Sequence, residues 1–263
     1  MGVLFKKGLF LHIVSHDKRE WARAIKGLGC FSGLDFVEVW LEEVDLSVGE
    51  IVWLKQRLAP YEIIIHAPFI NLTLVSSHRS INSATIGILR KTIDIGVKLG
   101  AKVATMHAGA FPLFLDQRAV REIFVANFRP LMNYAKGKIQ ITVENISMKK
   151  STQISYPVLL DELEAIRTPI SEINFTLDVG HCVENGDEFA GFLTKNKSRI
   201  KNIHLHNAIQ KGGAHFGFNR PGDLNLKDFI KLLKDIGYSG FLSLEVLGER
   251  DVKESWKMLL KSL

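Results

Sequence analysis

Strand-like and helix-like patterns alternate along this chain from end to end, and few folds are compatible with such an alternation. Short runs with the two-residue period of β-strands are separated by longer stretches with the period of amphipathic helices. Eight such pairs follow one another at intervals of roughly 30 residues, the length of one strand–helix–strand unit. No block consists of strands alone or of helices alone. The pattern therefore predicts an α/β protein in which eight parallel strands close into a single (β/α)8 TIM barrel.

The boundaries of these elements can be placed from the sequence. The predicted strands are Gly8–Val14, Asp35–Leu41, Tyr61–His66, Lys102–His107, Lys138–Asn145, Ile173–Asp178, Ile200–His206 and Gly240–Leu247. The predicted helices are Asp17–Leu28, Val48–Leu58, Ser80–Leu99, Asp116–Ala135, Tyr156–Arg167, Asp187–Lys195, Leu226–Ile236 and Val252–Leu260. We expect residues 1–263 to form one domain. An open, doubly wound sheet is the alternative, but it would normally carry a glycine-rich phosphate loop after its first strand, and none is found there.

Composition and charge exclude several classes of protein. The chain is 46% hydrophobic and 24% charged, which is ordinary for a soluble protein, and no apolar run is long enough to span a membrane. The net charge of +6 permits an anionic partner, but the lysines are scattered and do not favour nucleic acid over a sugar phosphate. Only two cysteines, Cys30 and Cys182, are present, without a pairing pattern or a preceding signal peptide. We therefore expect a cytoplasmic protein.

The stretch from Ile173 to His181 indicates where the chemistry of the barrel lies. Its apolar residues alternate with polar ones, and the polar face ends at Asp178, three residues before His181. The apolar faces of the strands must pack on the outer helices, so the polar faces point into the barrel and end at its C-terminal mouth, where active sites of this fold are built. The same count places at this mouth His12, Trp40, His66, His107, Glu144, Asp178, His181, His204, His206 and Glu245.

Such a group of carboxylates and imidazoles would be costly to bury without compensation. A divalent cation supplies that compensation, because it turns the deprotonated side chains into ligands. Mixed carboxylate and histidine ligation suits zinc, manganese or cobalt better than magnesium, which prefers oxygen and water. The sequence therefore predicts a divalent metal site at the mouth of the barrel.

Six short motifs give the chain a resemblance to a known group of proteins. They are His66-Ala67-Pro68-Phe69 with Asn71-Leu72, Leu99-Gly100-Ala101 leading to His107-Ala108-Gly109, Thr142-Val143-Glu144-Asn145, Leu177-Asp178-Val179-Gly180-His181, Ile203-His204-Leu205-His206-Asn207, and Leu244-Glu245. Together they resemble the xylose-isomerase-like barrel superfamily. This superfamily holds sugar and sugar phosphate isomerases and epimerases, and also the endonuclease IV type of abasic-site DNA nuclease (AP endonuclease family 2).

The resemblance implies between one and three metal ions. The epimerase branch holds one ion with four ligands, which match Glu144, Asp178, His204 and Glu245. The nuclease branch adds a second site, which matches His66, His107 and Glu144, and a third site that uses the residue matching His181 and an Asp-x-His in the loop after the seventh strand. This chain reads Gly213-Ala214-His215 there, so the aspartate is missing. The loop of residues 42–47 is acidic and lacks the arginine with which the nuclease enters DNA, and an acidic loop would repel phosphates.

These two departures favour the sugar enzymes. The resemblance then implies a divalent-metal-dependent sugar or sugar phosphate isomerase or epimerase that works by proton transfer through an enediolate, with Glu144 and Glu245 as base and acid. The residues expected to contact the substrate are His181, Trp40, His206, His215 and Arg220, with Lys211, His215 and Arg220 as candidate phosphate contacts. The alternatives are an endonuclease IV-like zinc-dependent nuclease, for which alone nucleic acid would be a partner, and a non-catalytic barrel that binds a metal and a sugar. The sequence predicts no membrane partner and leaves an oligomer open.

Overall fold

The computed structural model of the chain describes residues 4–13, 17–42, 45–148 and 153–263. Its strands are β1 (Lys6–Ile13), β2 (Phe36–Leu41), β3 (Glu62–His66), β4 (Val103–Met106), β5 (Ala110–Pro112), β6 (Gln140–Glu144), β7 (Gln153–Ser155), β8 (Asn174–Asp178), β9 (Ile200–Leu205), β10 (Asn207–Ile209), β11 (Gly213–Phe216) and β12 (Phe241–Leu244). Its α-helices are α1 (Lys18–Gly27), α2 (Val48–Arg57), α3 (Arg79–Leu99), α4 (Gln117–Ala135), α5 (Leu160–Arg167), α6 (Val179–Asn185), α7 (Phe189–Asn196), α8 (Leu226–Ile236) and α9 (Glu249–Ser262), with a 3₁₀ turn at Leu28–Cys30.

Eight of the strands close into a parallel barrel in the order β1-β12-β9-β8-β6-β4-β3-β2, which confirms the predicted fold class. The remaining strands form two short antiparallel pairs, β5 with β7 and β10 with β11, in the loops that follow β4, β6 and β9. These loops lie at the C-terminal ends of the barrel strands, so both pairs belong to the face where the candidate site is located. No helix in the described part of the chain combines the length and the apolar character needed to cross a bilayer.

The alternation of side chains along the strands produces layers inside the barrel. At the ends where the strands begin, Phe36, Ile64 and Val103 pack with Phe241 in a small cluster separate from the main apolar core. In the middle, Thr176 shares hydrogen bonds with Thr105 at 2.9 Å and with Thr142 at 2.8 Å. The next inward positions along these strands are at the mouth. The barrel interior is thus apolar at the ends where the strands begin and polar toward the mouth, as the two-residue period predicts.

Most predicted boundaries agree with the structure to within a few residues. The largest difference is in the predicted helix Tyr156–Arg167, because the structure begins the corresponding helix, α5, at Leu160. Pro157 explains the difference, since a proline disfavours helical backbone in the residue before it. The sequence interpretation also overlooked α6, which starts directly after β8. Val14, the last residue of the first predicted strand, lies outside the described residues.

Candidate metal centre at the mouth of the barrel

Asp178 is fixed in place by three sets of contacts at the junction of β8 and α6. Its Oδ1 accepts the backbone N–H of His181 at 2.7 Å and thereby caps the first turn of α6. The side-chain amide of Asn145 donates to the carbonyl of Asp178 and accepts its N–H, both at 2.9 Å. Gly180 leaves room for His206, because a Cβ at position 180 would lie 1.9 Å from the imidazole ring. The turn therefore presents Asp178 to the barrel mouth with His206 packed against it.

His204 stands at the centre of a group of three carboxylates. Its Nδ1 lies 3.1 Å from Oε1 of Glu144, 2.9 Å from Oε2 of Glu245 and 3.8 Å from Oδ2 of Asp178. The side chains of His204 and Asp178 have no exposed surface, and those of Glu144 and Glu245 are 2% and 15% exposed. Each of the four offers one ligand atom, and these atoms all lie within 4.8 Å of one another. We call these four residues the carboxylate cluster.

The carboxylate cluster has too few hydrogens to satisfy its acceptors, which indicates that it is suited to bind a cation. The single hydrogen that Nδ1 of His204 can carry cannot serve three carboxylates, and the buried Oε2 of Glu245 has no hydrogen-bond partner within the described part of the chain. Ligand atoms at about 2.1 Å from a shared zinc ion lie ~3.0–3.4 Å apart, close to the two shorter distances measured here. Carboxylate oxygens and an imidazole nitrogen are also ligands that zinc, manganese and cobalt accept. The residues present therefore suit a divalent metal.

The electrostatics of the carboxylate cluster agree with this fit. Burial alone would raise the pKa of Glu144, but the charges of His204 and His107 hold that pKa well below its usual range. The pKa of Glu245 is lowered in the same way against burial, by His204 and His215. Burial would lower the pKa of His204, but the surrounding carboxylates raise that pKa well above its usual value. The carboxylates of the cluster are therefore ionised, and together they favour a positive charge at Nδ1 of His204.

A second group of possible ligands shares Glu144 with the first. Oε2 of Glu144 lies 3.2 Å from Nε2 of His66 and 3.1 Å from Nε2 of His107. Nδ1 of His66 is 2.8 Å from the carbonyl of Ala67, and because a carbonyl can only accept, this nitrogen carries the hydrogen. In a neutral His66 ring the lone pair of Nε2 then faces the Glu144 carboxylate. A cation between them would satisfy both.

A third group consists of His181, His206 and His215. Nε2 of His181 and Nε2 of His215 are 3.3 Å apart. Their Nδ1 atoms face the carbonyls of Asn145 at 3.0 Å and Glu245 at 3.3 Å, so in the neutral rings both Nε2 atoms carry lone pairs. Metal-binding histidines commonly donate their other ring N–H to such carbonyls. The third site suggested by the sequence thus has two nitrogen ligands in position, although the expected aspartate is absent.

His206 is engaged on both sides of its ring. Its Nδ1 accepts the backbone N–H of His215 at 2.9 Å, with the carbonyl of Asn207 further away at 3.3 Å. A backbone N–H can only donate, so the hydrogen of the neutral ring is on Nε2, which lies 3.0 Å from the Asp178 carboxylate. In this state His206 supports Asp178. It would become a metal ligand only by giving up one of these hydrogen bonds.

Aromatic rings form one wall of the mouth. Trp40 stacks on Phe69 with a centroid distance of 5.2 Å, and Phe69 stacks on His107 at 4.6 Å. Glu42 holds this wall together, because its carboxylate accepts the indole N–H of Trp40 at 3.0 Å and the backbone N–H groups of Phe69 and Ile70 at 3.3 and 3.1 Å. His12 packs edge-on against Trp40 at 5.3 Å. Trp40 and Phe69 are only half-buried and offer ring surface to a substrate.

The acidic loop of residues 42–47 is less repulsive than its sequence suggested. The Glu42 carboxylate is hydrogen-bonded to Trp40 of the aromatic wall, and Asp45 forms an ion pair with Lys91 of α3 at 3.0 Å. Glu43 and Val44 lie outside the described residues. This loop therefore opposes a nucleic-acid partner less than the sequence alone implied.

Arg220 has a different partner from the one predicted for it. Its guanidinium forms an ion pair with Asp251 of α9 at 2.5 Å, and its side chain is 58% exposed. Lys211 is exposed at the turn between β10 and β11, with a positive φ of 59°. A role for either residue in binding a phosphate stays a prediction, and for Arg220 it requires that the pair with Asp251 opens.

Two supporting residues of the site were missed by the sequence interpretation. Asn145, which the sequence shows only as part of a motif, fixes the backbone of Asp178, and Glu42, which the sequence shows only as a loop charge, binds the aromatic wall. The helix α6 was also missed, although Asp178 as its N-cap and Gly186 just past its end are signals that the sequence does carry. No local signal shows how Glu42 joins the two sides of the wall, since two of its three described partners, Phe69 and Ile70, are 27 and 28 residues away.

Comparison with known proteins agrees with this architecture. The family model described as "Xylose isomerase-like TIM barrel" matches residues 31–262. An uncharacterized protein of Methanocaldococcus jannaschii is 28% identical over 227 residues, which cover 83% of this chain and 76% of the relative. A protein of Enterococcus faecalis named "Probable endonuclease 4" is 26% identical over 188 residues, which cover 66% of this chain and 61% of that protein.

Solved structures of sugar epimerases share the fold. A D-tagatose 3-epimerase-like protein superposes with a TM-score of 0.85 at 22% identity, over 98% of this chain and 97% of its own. A D-allulose 3-epimerase from Methylomonas sp. in complex with D-allulose gives a TM-score of 0.80 at 17% identity, over 99% and 97% of the two chains. Identities this low establish the likeness of the fold alone.

Proposed function

The chain belongs to the xylose isomerase-like TIM barrel family, and from this membership together with the geometry of the mouth we propose that it is a divalent-metal-dependent sugar isomerase or epimerase. The observation that carries the proposal is the carboxylate cluster, in which Glu144 and Glu245 converge on one position beside Nδ1 of His204. Proton transfer next to a carbonyl needs a base, an acid and a means of stabilising negative charge on oxygen. The cluster contains groups suited to all three tasks.

When bound, the metal would polarise the carbonyl and hydroxyl oxygens of the sugar and stabilise the charge that develops as the neighbouring C–H proton leaves. Glu144, Asp178, His204 and Glu245 would hold it. Glu245 is the more accessible of the two glutamates, at 15% exposure against 2% for Glu144, and its Oε2 makes no hydrogen bond to any residue in the described ranges. Glu245 is therefore suited to remove a proton as a carboxylate. Glu144, which is ionised at rest, would return a proton on the opposite face of the substrate after taking it up from solvent.

The residues around the cluster would orient the sugar. His181 and His215 present ring nitrogens toward the same space, where a sugar hydroxyl can donate to them. Trp40 and Phe69 offer apolar ring surface, against which the C–H face of a sugar can pack. Tagatose, allulose and ribulose, which occur in the names of structures with this fold, are reasonable first substrates, with and without a phosphate group.

The proposal is tested by proton exchange from solvent. The protein loaded with Mn²⁺, Co²⁺ or Zn²⁺ is incubated in deuterated water with these ketoses, and deuterium incorporation is followed by NMR. We expect incorporation by the wild-type protein and its loss in Glu144→Gln and in Glu245→Gln. Glu122→Gln serves as the control, because Glu122 is a surface carboxylate on α4 that pairs with Arg118. Exchange at wild-type rates in both glutamate variants would exclude the acid–base pair.

A second candidate function is supported by the other two ligand groups. His66, His107 and Glu144 on one side, and His181 with His215 on the other, would allow three ions in one mouth. A set of closely spaced ions can activate water and stabilise the leaving group in the hydrolysis of a phosphodiester. On this basis the protein would be a zinc-dependent nuclease for abasic DNA. Three bound zinc ions, and cleavage of an abasic-site duplex that weakens steeply with salt, would favour the nuclease over the sugar enzyme.

A further inference from the structure

Glu38 is a buried carboxylate on β2 that lies below the mouth of the barrel. Its side chain has no exposed surface. Both of its oxygens lie 3.1 Å from Nε2 of His204, and Oε2 also accepts the side-chain N–H of Asn202 at 2.8 Å. The carboxylate cluster approaches the other ring nitrogen, Nδ1. Glu38 therefore touches His204 on the side of the ring turned away from the candidate metal.

This contact decides which nitrogen of His204 is available as a ligand. An ionised carboxylate can only accept hydrogen bonds, so the hydrogen of a neutral His204 ring is held on Nε2 and the lone pair is left on Nδ1. A metal ligand needs that lone pair. Without Glu38, the three carboxylates at the mouth would instead draw the hydrogen to Nδ1, where it would block the metal.

The surroundings keep this arrangement rigid. Phe10 packs edge-on against the His204 ring at a centroid distance of 5.8 Å, and His66 stacks on it at 5.8 Å. Asn202 holds Glu38 through one amide hydrogen, while its Oδ1 has no hydrogen-bond partner among the described residues. The one polar contact that Asn202 makes through its side chain is thus directed at Glu38.

We propose that Glu38 is a positioning residue for the metal site, which holds His204 in the orientation and tautomer that present Nδ1 to the ion. This inference rests on the proposed function only in that His204 binds a metal, and it is independent of the substrate. A carboxylate that orients a histidine ligand in this way typically contributes 10- to 100-fold to metal affinity.

The first experiment uses the wild-type protein. ¹⁵N NMR of the histidine rings is recorded without metal and with one equivalent of Zn²⁺. The proposal expects, in the loaded protein, a hydrogen on Nε2 of His204 and a metal-induced shift at Nδ1. A hydrogen on Nδ1, or a shift confined to Nε2, would overturn it. No variant is needed for this result.

The second experiment measures Zn²⁺ affinity by competition with a chromophoric chelator for wild type, Glu38→Gln and Glu38→Asp. A glutamine can donate its amide hydrogen to Nε2 and so permit the unfavourable tautomer. We expect Zn²⁺ binding roughly 10- to 100-fold weaker in Glu38→Gln, and a smaller loss in Glu38→Asp, which keeps the carboxylate. Thr142→Val is the matched control, because Thr142 is equally buried in the barrel and bonds to Thr176 and a backbone carbonyl instead of Glu38 or His204.

The outcomes separate this inference from the proposed function. Wild-type affinity in Glu38→Gln would overturn the positioning role, and so would an equal loss in Glu38→Gln and Thr142→Val, which would reflect general damage to the barrel interior. Failure of the wild-type protein to bind any of the tested metals would overturn the metal site itself. If Glu38→Gln weakens metal binding as expected but the wild-type protein does not turn over sugars, the inference about Glu38 stands and the proposed reaction is contradicted.

Discussion

Oε2 of Glu245 lies 2.9 Å from Nδ1 of His204, yet no residue that the structure describes forms a hydrogen bond with this oxygen. Two polar atoms this close in a buried site are normally joined by a hydrogen, but a hydrogen on Nδ1 could serve only one of the neighbouring carboxylates well. Atoms that bind the same cation approach each other in this way without sharing a hydrogen. The relationship fits the proposed shared metal ion, and the following predictions depend on that proposal or on the residues around the site.

The stability of the metal-free protein should fall in acid. Burial opposes ionisation of Glu144 and Asp178, but nearby imidazoles lower the pKa of both carboxyl groups below its usual value. A carboxyl group with a lowered pKa in the folded state contributes stability above its unfolded pKa of about 4, and this contribution is lost as the pH falls through the folded pKa. We expect the free energy of unfolding, measured in urea, to decrease below about pH 4.

The Glu144→Gln variant provides the comparison for this pH dependence. It has no carboxyl group at position 144 to protonate, so its free energy of unfolding should change less between neutral pH and acid than that of the wild-type protein. Identical pH profiles for the two proteins would mean that Glu144 has the same pKa folded and unfolded.

Gly180→Ala should disturb the site through a steric clash. The added methyl group would lie 1.9 Å from the ring of His206, which supports Asp178. We expect a loss of about 1–3 kcal/mol in the free energy of unfolding, together with weaker metal binding. Gly191→Ala on α7 is the control, because its methyl group meets no atom of the described residues within 4 Å and a helical alanine should be neutral or stabilising. Equal stability of the two variants would contradict the packing described for His206.

Trp40→Ala should affect the substrate more than the metal. Trp40 contributes no ligand atom, and its ring stacks on Phe69 at the half-buried wall of the mouth. Loss of an aromatic contact of this kind corresponds to about 1 kcal/mol, or roughly fivefold in affinity. We expect a higher KM for the sugar with Zn²⁺ affinity unchanged. Weaker Zn²⁺ binding with an unchanged KM would place Trp40 in a structural role only.

The fold was predictable because the alternation of strand and helix patterns is repeated along the whole sequence. Eight strand–helix units give the same periodicity many times, so an error at one boundary, such as that at Tyr156, leaves the closed barrel unchanged. The inward direction of Glu144, Asp178 and His204 was predictable for the same reason, since the side-chain period of a strand is two.

Contacts between distant loops were not predictable in this way. Glu42 bonds to the backbone of Phe69 and Ile70, and Arg220 pairs with Asp251, because loops that are separate in the sequence meet at the mouth. Neither contact corresponds to a local sequence pattern, and each gives a charged residue a role that differs from the one predicted for it. The sequence therefore predicted the inward direction of the strand residues better than the contacts of the loop residues around them.

The number of metal ions bound per chain is the most direct test of the proposed metal centre. The purified protein is dialysed against an excess of Mn²⁺, Co²⁺ or Zn²⁺ and then against metal-free buffer, and the bound metal is measured by inductively coupled plasma mass spectrometry for wild type, His204→Ala and the surface variant Glu122→Gln. We expect at least one ion per chain in wild type and in Glu122→Gln, and loss of that ion in His204→Ala. Wild-type protein without bound metal, or His204→Ala with undiminished metal content, would contradict the proposed metal centre.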